Sequence, residues 1–194
     1  MAKKLTTRII AGKYKNKSLQ LPSLDTTRSS KSILKESFFN VVQYDIIDTI
    51  FIEAFGGSGS IGLEALSRGA THSYFIELNK QSYKILTQNC KTIDENNSTA
   101  ILGDTFEVLP NLVNNSLGNQ PIIIYIDPPF DFRDGMESIY DKSIEMVEKF
   151  TNENIFLITF EHKSELSMPE AIGKYQKTKT KKFGNSSLTY YEVL

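Results

Sequence analysis

Apolar and polar positions follow two periods along this chain, and the switch between them recurs. Runs rich in Ile, Val, Phe and Tyr at 49–52, 72–78, 99–103, 121–127 and 154–162 read as buried strands. Between them lie stretches with apolar residues at helical spacing. IGLEALSRGA stops at Gly69, and NKQSYKILTQNCKTID follows the second strand. TFEVLPNLV must tolerate Pro110, and GMESIYDKSIEMVEKF precedes the fifth strand. These are alternating β/α units. Parallel strands need helical crossovers, so the five strands predict a doubly wound parallel sheet.

The two ends break this rhythm. Residues 8–21 read as a β-hairpin with Ile9 and Ile10 opening one strand, Ser18 to Leu21 forming the other, and Lys15-Asn16-Lys17 as the turn. A helix follows across SKSILKESFFNVVQY, with Ile33, Leu34, Phe38, Val41 and Val42 as its apolar stripe. At the other end KYQKTKTKKFG and SSLTYYEVL meet at Gly184-Asn185, an antiparallel hairpin that adds to the sheet edge. The expected division is 1–45 as an N-terminal hairpin-and-helix extension and 46–194 as the α/β body.

Composition narrows the class. With 194 residues and 40% apolar content, the chain suits one full-sized domain. No apolar run approaches the ~20 residues of a membrane span, and MAKKLTTRII lacks a secretory core. The single Cys90 allows no internal disulfide and reads as a buried thiol, which fits a reducing cytoplasm.

Net charge is −1, but its distribution is uneven. Residues 1–35 carry nine Lys/Arg and one acid, residues 36–161 seven Lys/Arg and nineteen acids, and residues 162–182 six Lys and two acids. Basic ends around an acidic body suggest a polyanion gripped by the termini. Arg8, Lys13, Lys15 and Lys17 around the hairpin turn can contact phosphates, with Tyr14 free to stack on a base. Arg28, Lys31 and Lys35 open the following helix, where a nucleic-acid strand can run.

The candidate chemistry sits at strand ends, where doubly wound sheets bind ligands. Gly57, Gly59 and Gly62 form G-x-G-x-x-G between the first central strand and its helix, and Glu53, Glu77, Asp104 and Asp127 close four strands. Glu77 lies 20 residues beyond Gly57, placed to accept both ribose hydroxyls of a nucleotide cofactor. Either NAD or S-adenosylmethionine needs that contact, and Glu53 distinguishes them. A carboxylate ahead of the glycine turn repels a diphosphate by a few kcal/mol at ~4 Å and an effective dielectric near ~20. It favours the ammonium and sulfonium of S-adenosyl-L-methionine. Asp104, with Thr105 beside it, can take the adenine amino group, and Phe106 or Leu78 can sandwich the ring.

Asp127-Pro128-Pro129-Phe130 ends the fourth central strand. Two prolines fix the backbone and leave a carbonyl without a competing N–H. Asp127 and the Pro128 carbonyl can then accept both hydrogens of an exocyclic NH₂, turning its lone pair toward a methyl group, while Phe130 stacks on the base. With only His72 and His162 and no spaced partners, no zinc site is expected; His162, at the end of the fifth strand near the rim, reads as a satisfied structural histidine, with a secondary role in the substrate pocket as the alternative.

Taken in order and spacing, RIIAGKYKNKSLQLP, the Arg28 to Asn40 helix, EAFGGSGSIGLEALSRGA, FIELN and IDPPF resemble the RsmD family, the bacterial 16S rRNA (guanine(966)-N(2))-methyltransferases. The resemblance covers nearly the whole chain. It implies a class I, Rossmann-like, seven-stranded fold that uses S-adenosyl-L-methionine to methylate guanine N2 in 16S ribosomal RNA. It also implies a 30S subunit or assembly intermediate as partner. A monomer is the expected state. Glu53, Phe55, Gly57, Gly59, Glu77 and Asp104 would hold the cofactor, Asp127 to Phe130 the base, and the basic N-terminal part the RNA. Glu53 and Gly56 stand where the family usually has Asp and Ala, and Arg28 to Glu36 lacks the family's proline, aspartate and one arginine. Rival readings are methyl transfer to adenine N6 in DNA or to a protein glutamine, an NAD-dependent oxidoreductase, and an RNA-binding protein with a vestigial pocket.

Overall fold

The computed structural model describes residues 5–22, 28–129 and 138–193, with the backbone alone at 28–31 and 138. Its body alternates as expected: β3 (Ile50–Glu53), α2 (Gly62–Arg68), β4 (His72–Glu77), α3 (Lys80–Ile93), β5 (Ser98–Leu102), α4 (Thr105–Asn115), β6 (Ile122–Ile126), α5 (Ser138–Glu148) and β7 (Ile155–Lys163). Then come β8 (Ala171–Ile172), β9 (Tyr175–Phe183) and β10 (Ser186–Val193). Before the body stand β1 (Thr6–Arg8), β2 (Ser18–Gln20) and α1 (Arg28–Val41).

One sheet has the order β5-β4-β3-β6-β7-β10-β9-β8. The first five of these strands are parallel, and β10, inserted between β7 and β9, is antiparallel to both. The sheet therefore has eight strands where seven were expected. The extra one, β8, is two residues long and folds back onto β9 through Gly173, at φ +56°. So short a pairing leaves no alternation for a sequence to display.

Burial explains the strand order. All five residues of β6 are buried, and each fully buried isoleucine contributes about 1.5–3 kcal/mol, so IIIYI belongs at the centre. Ile122, Ile124 and Ile126 face a core shared with Leu109, Val113, Met146 and Val147 of α4 and α5. Ile123 and Tyr125 face the other core, under α1, α2 and α3. There Phe38 of α1 meets Phe39, Phe51, Tyr125 and Tyr190, with ring centroids 5.0, 6.0, 4.9 and 6.5 Å away. Between β3 and β6 the chain order reverses, and this switch point sets the glycine turn beside Asp127.

The N-terminal hairpin pairs Thr6–Arg8 with Ser18–Gln20, so Ile9 and Ile10 lie just beyond its first strand. The cause is a buried carboxylate. Glu64 on α2 accepts the Ile10 and Ala11 N–H groups at 2.8 and 3.0 Å, taking amides a strand partner would otherwise use. Gly12, at φ +82°, presses on the Ser67 carbonyl so closely that a Cβ would lie 1.8 Å from its oxygen. Ser67 Oγ donates to the Ala11 carbonyl and accepts the Tyr14 N–H.

Lys35 and Arg68 complete the arrangement, with nitrogens 3.3 and 2.9 Å from Glu64. Lys35 also donates to the Arg8 carbonyl at 3.1 Å. Burial lowers its ammonium pKa, against the opposing pull of Glu64 and then Glu53. Removing one member of such a buried group strands the other charges. Glu64→Gln should therefore cost about 3–5 kcal/mol, read as a lower urea midpoint with the slope of unfolding unchanged.

Candidate active site

The site is built on the turn from β3 into α2. Ala54 N–H donates to the Tyr125 carbonyl at 2.9 Å and Gly56 N–H to the Ile76 carbonyl at 2.7 Å, so the turn is pinned to both neighbouring strands. Gly57 and Gly59 take φ +51° and +76°, a region glycine enters without cost. A Cβ on Gly62 would lie 2.4 Å from the Phe75 ring, so that glycine serves close helix–strand packing. Around the position of a Gly57 Cβ nothing among the described residues lies within 4 Å, so a ligand can reach the backbone there.

Three side chains hold this turn from below. Glu53, buried, accepts the Gly62 N–H at 2.8 Å and fastens the start of α2. The expectation gave Glu53 to the cofactor's cationic end; the structure adds that its carboxylate also staples the turn. Glu77 accepts the Gly57 N–H at 2.8 Å and the Asn79 N–H at 2.6 Å, one on each oxygen. Each carboxylate oxygen has two acceptor sites, so Glu77 keeps capacity for ribose hydroxyls. Asn89 of α3, which the sequence reading missed, donates to the Ser58 carbonyl at 2.8 Å. Its amide also exchanges two bonds with the Gln20 backbone, at 2.9 and 3.0 Å. The available signal was a polar residue among Leu86, Cys90 and Ile93 on the buried stripe of α3. Burial pushes the Cys90 thiol up to about 12, leaving it an inert core group.

Beyond the turn, the ends of β4 and β5 are tied by Gly103 N–H to the Glu77 carbonyl at 3.1 Å. Leu78 stands 67% exposed beside Glu77, an apolar surface available to a flat ring. Asp104 caps α4 by accepting the Phe106 N–H at 2.9 Å, and Phe106 packs edge-on against Phe55 at 6.0 Å. Thr105 differs from its expected cofactor contact. It is buried, and its hydroxyl donates to the Ala54 carbonyl at 2.5 Å, so it supports the turn from behind. The open approach at Gly57, the acceptors of Glu77 and Asp104 and the exposed Leu78 fit a cationic adenosine cofactor.

Asp127 follows β6 at the switch point, half-buried, with Pro128 buried and Pro129 exposed behind it. Phe130 lies outside the described residues. Tyr125 and Glu161, both buried, sit beneath this end of the sheet, with the Tyr125 hydroxyl donating to Glu161 at 2.7 Å. Burial, then the negative charges of Glu161 and Asp127, raise the Tyr125 pKa well above its ordinary value, so it remains a donor. His162 is buried with both ring nitrogens engaged, by the Lys163 carbonyl at 2.8 Å and by Thr189 Oγ1 at 2.7 Å. An open depression of about 310 Å³ lined by His162, Thr180 and Thr189 lies across β7 from the glycine turn. Among the described residues no cluster of three or more His, Cys, Asp or Glu could hold a metal ion.

The basic residues divide. Arg8, Lys13, Lys15 and Lys17 are exposed around the hairpin. The Arg28 and Lys31 side chains lie outside the described residues. Lys35 is not available to a nucleic acid, because it is buried against Glu64. Nor is Tyr14 a stacking platform. It is buried, donates to Asp94 at 2.6 Å, and has the Lys13 and Lys17 amines 4.9 and 5.2 Å from its ring centroid.

A family model described as conserved hypothetical protein 95 matches residues 7–192. The chain is 26% identical over 188 residues to the putative rRNA methyltransferase YlbH of Bacillus subtilis (strain 168), covering 95% of this chain and 98% of that protein. To ribosomal RNA small subunit methyltransferase D of Escherichia coli (strain K12) it is 30% identical over 123 residues, covering 63% of this chain and 60% of that protein. The solved structure of the putative methyltransferase yhhF from Escherichia coli superposes with a TM-score of 0.77 at 25% identity, covering 97% of this chain and 98% of that one.

Asn89 is the side chain joining the glycine turn to the N-terminal hairpin. Asn89→Leu should leave the Ser58 and Gln20 backbone groups unpaired, at roughly 1–3 kcal/mol for each buried group. Hydrogen exchange should quicken at Gly59 and at Gln20 together, while β6 stays protected.

Proposed function

This chain belongs to the conserved hypothetical protein 95 family, the RsmD family, and from that premise we propose that it methylates the exocyclic N2 of a guanine in 16S ribosomal RNA. It is an S-adenosylmethionine-dependent rRNA methyltransferase. The observation that carries the finer reading is the placement of Asp127-Pro128-Pro129 at the switch point, one strand from the glycine turn. An amine acceptor needs hydrogen-bond acceptors beside the cofactor ledge, and this segment supplies a carboxylate and proline-flanked carbonyls.

The cofactor supplies an electrophilic methyl group on a sulfonium when bound. Glu77 would hold the ribose, Asp104 the adenine amino group, and Leu78 with Phe106 the ring faces. Glu53 keeps the turn closed and contributes negative charge beneath the cationic end. Asp127 and the Pro128 carbonyl accept the two amino hydrogens of the target base and aim its nitrogen lone pair at the methyl carbon. The nitrogen–methyl bond would form as the methyl–sulfur bond breaks, leaving S-adenosylhomocysteine, and the nitrogen would shed one proton, for which Asp127 is the adjacent acceptor. The base must leave its stack to reach this depth. Catalysis here is positioning and electrostatics, with no protein nucleophile.

The substrate is proposed to be the 30S subunit or an assembly precursor, held first by Arg8, Lys13, Lys15 and Lys17. Methyl-labelled cofactor on methylation-naive 30S particles tests the reading. Asp127→Ala should lower kcat/KM by about 10²–10³ while S-adenosylhomocysteine binding stays within a few-fold. Wild-type turnover by that variant would overturn the site assignment. Label found on any position other than guanine N2 would overturn the substrate.

A further inference from the structure

The basic block at 162–182 resolves into a directed surface on β9. Beyond the two residues of β8, this strand is the edge of the sheet. Lys179 pairs in register with Tyr190 and Lys181 with Leu188, and both partners belong to the core under α1. Residues directly opposite on paired strands share a face, so Lys179 and Lys181 lie on α1's side of the sheet. The Lys181 amine reaches Ser37 of α1 at 3.5 Å. Its pKa is lowered, first by burial and then by the like charge of Lys179. Lys182 pairs with Ser187 and points to the opposite face. Among the described residues, neither Lys179 nor Lys181 forms an ion pair with a carboxylate, whereas Lys177 pairs with Glu170.

Register connects this patch to the acceptor site. Ile126 aligns with Phe160, so Asp127 follows in line with Glu161; Glu161 pairs with Leu188, and Leu188 with Lys181. Lys181 therefore stands on the same cross-strand row as Asp127, three strand spacings away, or about 14 Å. A nucleotide seated at Asp127 leaves flanking phosphates within that range. We propose that Lys179 and Lys181 form a second phosphate-binding surface, which grips the rRNA strand beside the target nucleotide while the N-terminal hairpin holds the strand elsewhere. This rests on the rRNA methyltransferase reading above.

Lysines on an edge strand also discourage strand-to-strand aggregation, a role that does not depend on which face they occupy. The two roles therefore separate by face. The full-length Lys179→Gln/Lys181→Gln variant and the Lys182→Gln variant would be titrated against methylation-naive 30S particles over a salt series, with S-adenosylhomocysteine affinity and methyl transfer measured in parallel. The double variant should bind particles roughly tenfold more weakly at ~0.1 M salt. Its slope of log affinity against log salt should be shallower by about 1.5, the signature of two lost phosphate contacts. Lys182→Gln should stay within twofold, and S-adenosylhomocysteine affinity should not change. Wild-type affinity and slope in the double variant, or an equal loss in Lys182→Gln, overturns the surface alone, provided wild-type enzyme methylates the particles. Failure of the wild-type enzyme to transfer methyl groups to them overturns the methyltransferase reading and this surface with it.

Discussion

Residues 54–62 must do two incompatible things. A ligand-binding turn has to expose its backbone, yet backbone groups removed from water must find partners. This chain resolves the conflict by bonding the turn from below. Glu53 takes the Gly62 N–H, Glu77 the Gly57 N–H, Asn89 donates to the Ser58 carbonyl, and β4 and β6 carbonyls take Gly56 and Ala54. Over Gly57 no described residue covers the upper surface. The holding groups come from β3, β4, β6 and α3, so the turn's shape reports the assembly of those four elements together.

The same economy of contacts fixes the N-terminal hairpin. Asn89 holds Gln20 with the amide that also holds Ser58, and Glu64 gathers Ile10, Ala11, Lys35 and Arg68 one turn into the helix that leaves the glycine turn. The exposed lysines at 13, 15 and 17 are thus mounted, through α2 and Asn89, against the glycine turn. A nucleic acid held by the hairpin would be registered against the methyl donor by two buried polar side chains, Glu64 and Asn89. Lys179 and Lys181 lie on the same face of the sheet, across α1, with Lys181 in line with Asp127. On the proposed reading, basic side chains at two places would let a chain of net charge −1 engage a polyanion.

Much of this was legible in the sequence because it is periodic or punctuated. Five buried runs, the glycine spacing, Glu77 at its fixed interval and Asp127-Pro128-Pro129 follow from local rules of strand, turn and helix. The charge blocks at both ends were equally plain. Where sequence reading went astray, a side chain's partner lay far along the chain. Lys35 looked like a surface cation at a helix start, yet Glu64, 29 positions away, draws it into the core. Tyr14 looked like a stacking ring in a basic turn, yet Asp94 anchors it. Thr105 looked like a ligand contact beside Asp104, yet it turns inward to Ala54.

The sequence by itself determined the alternation of elements, the doubly wound sheet and the place of Asp127-Pro128-Pro129 at the end of the fourth central strand, since these depend on residue types within one or two turns of each other. Tertiary structure alone decided which charges are surface and which are buried, which polar side chains hold the glycine turn, and which face of β9 its lysines occupy. Those outcomes depend on long-range register: one residue of slip in a strand moves a side chain to the opposite face, and no local pattern records where the partner strand begins.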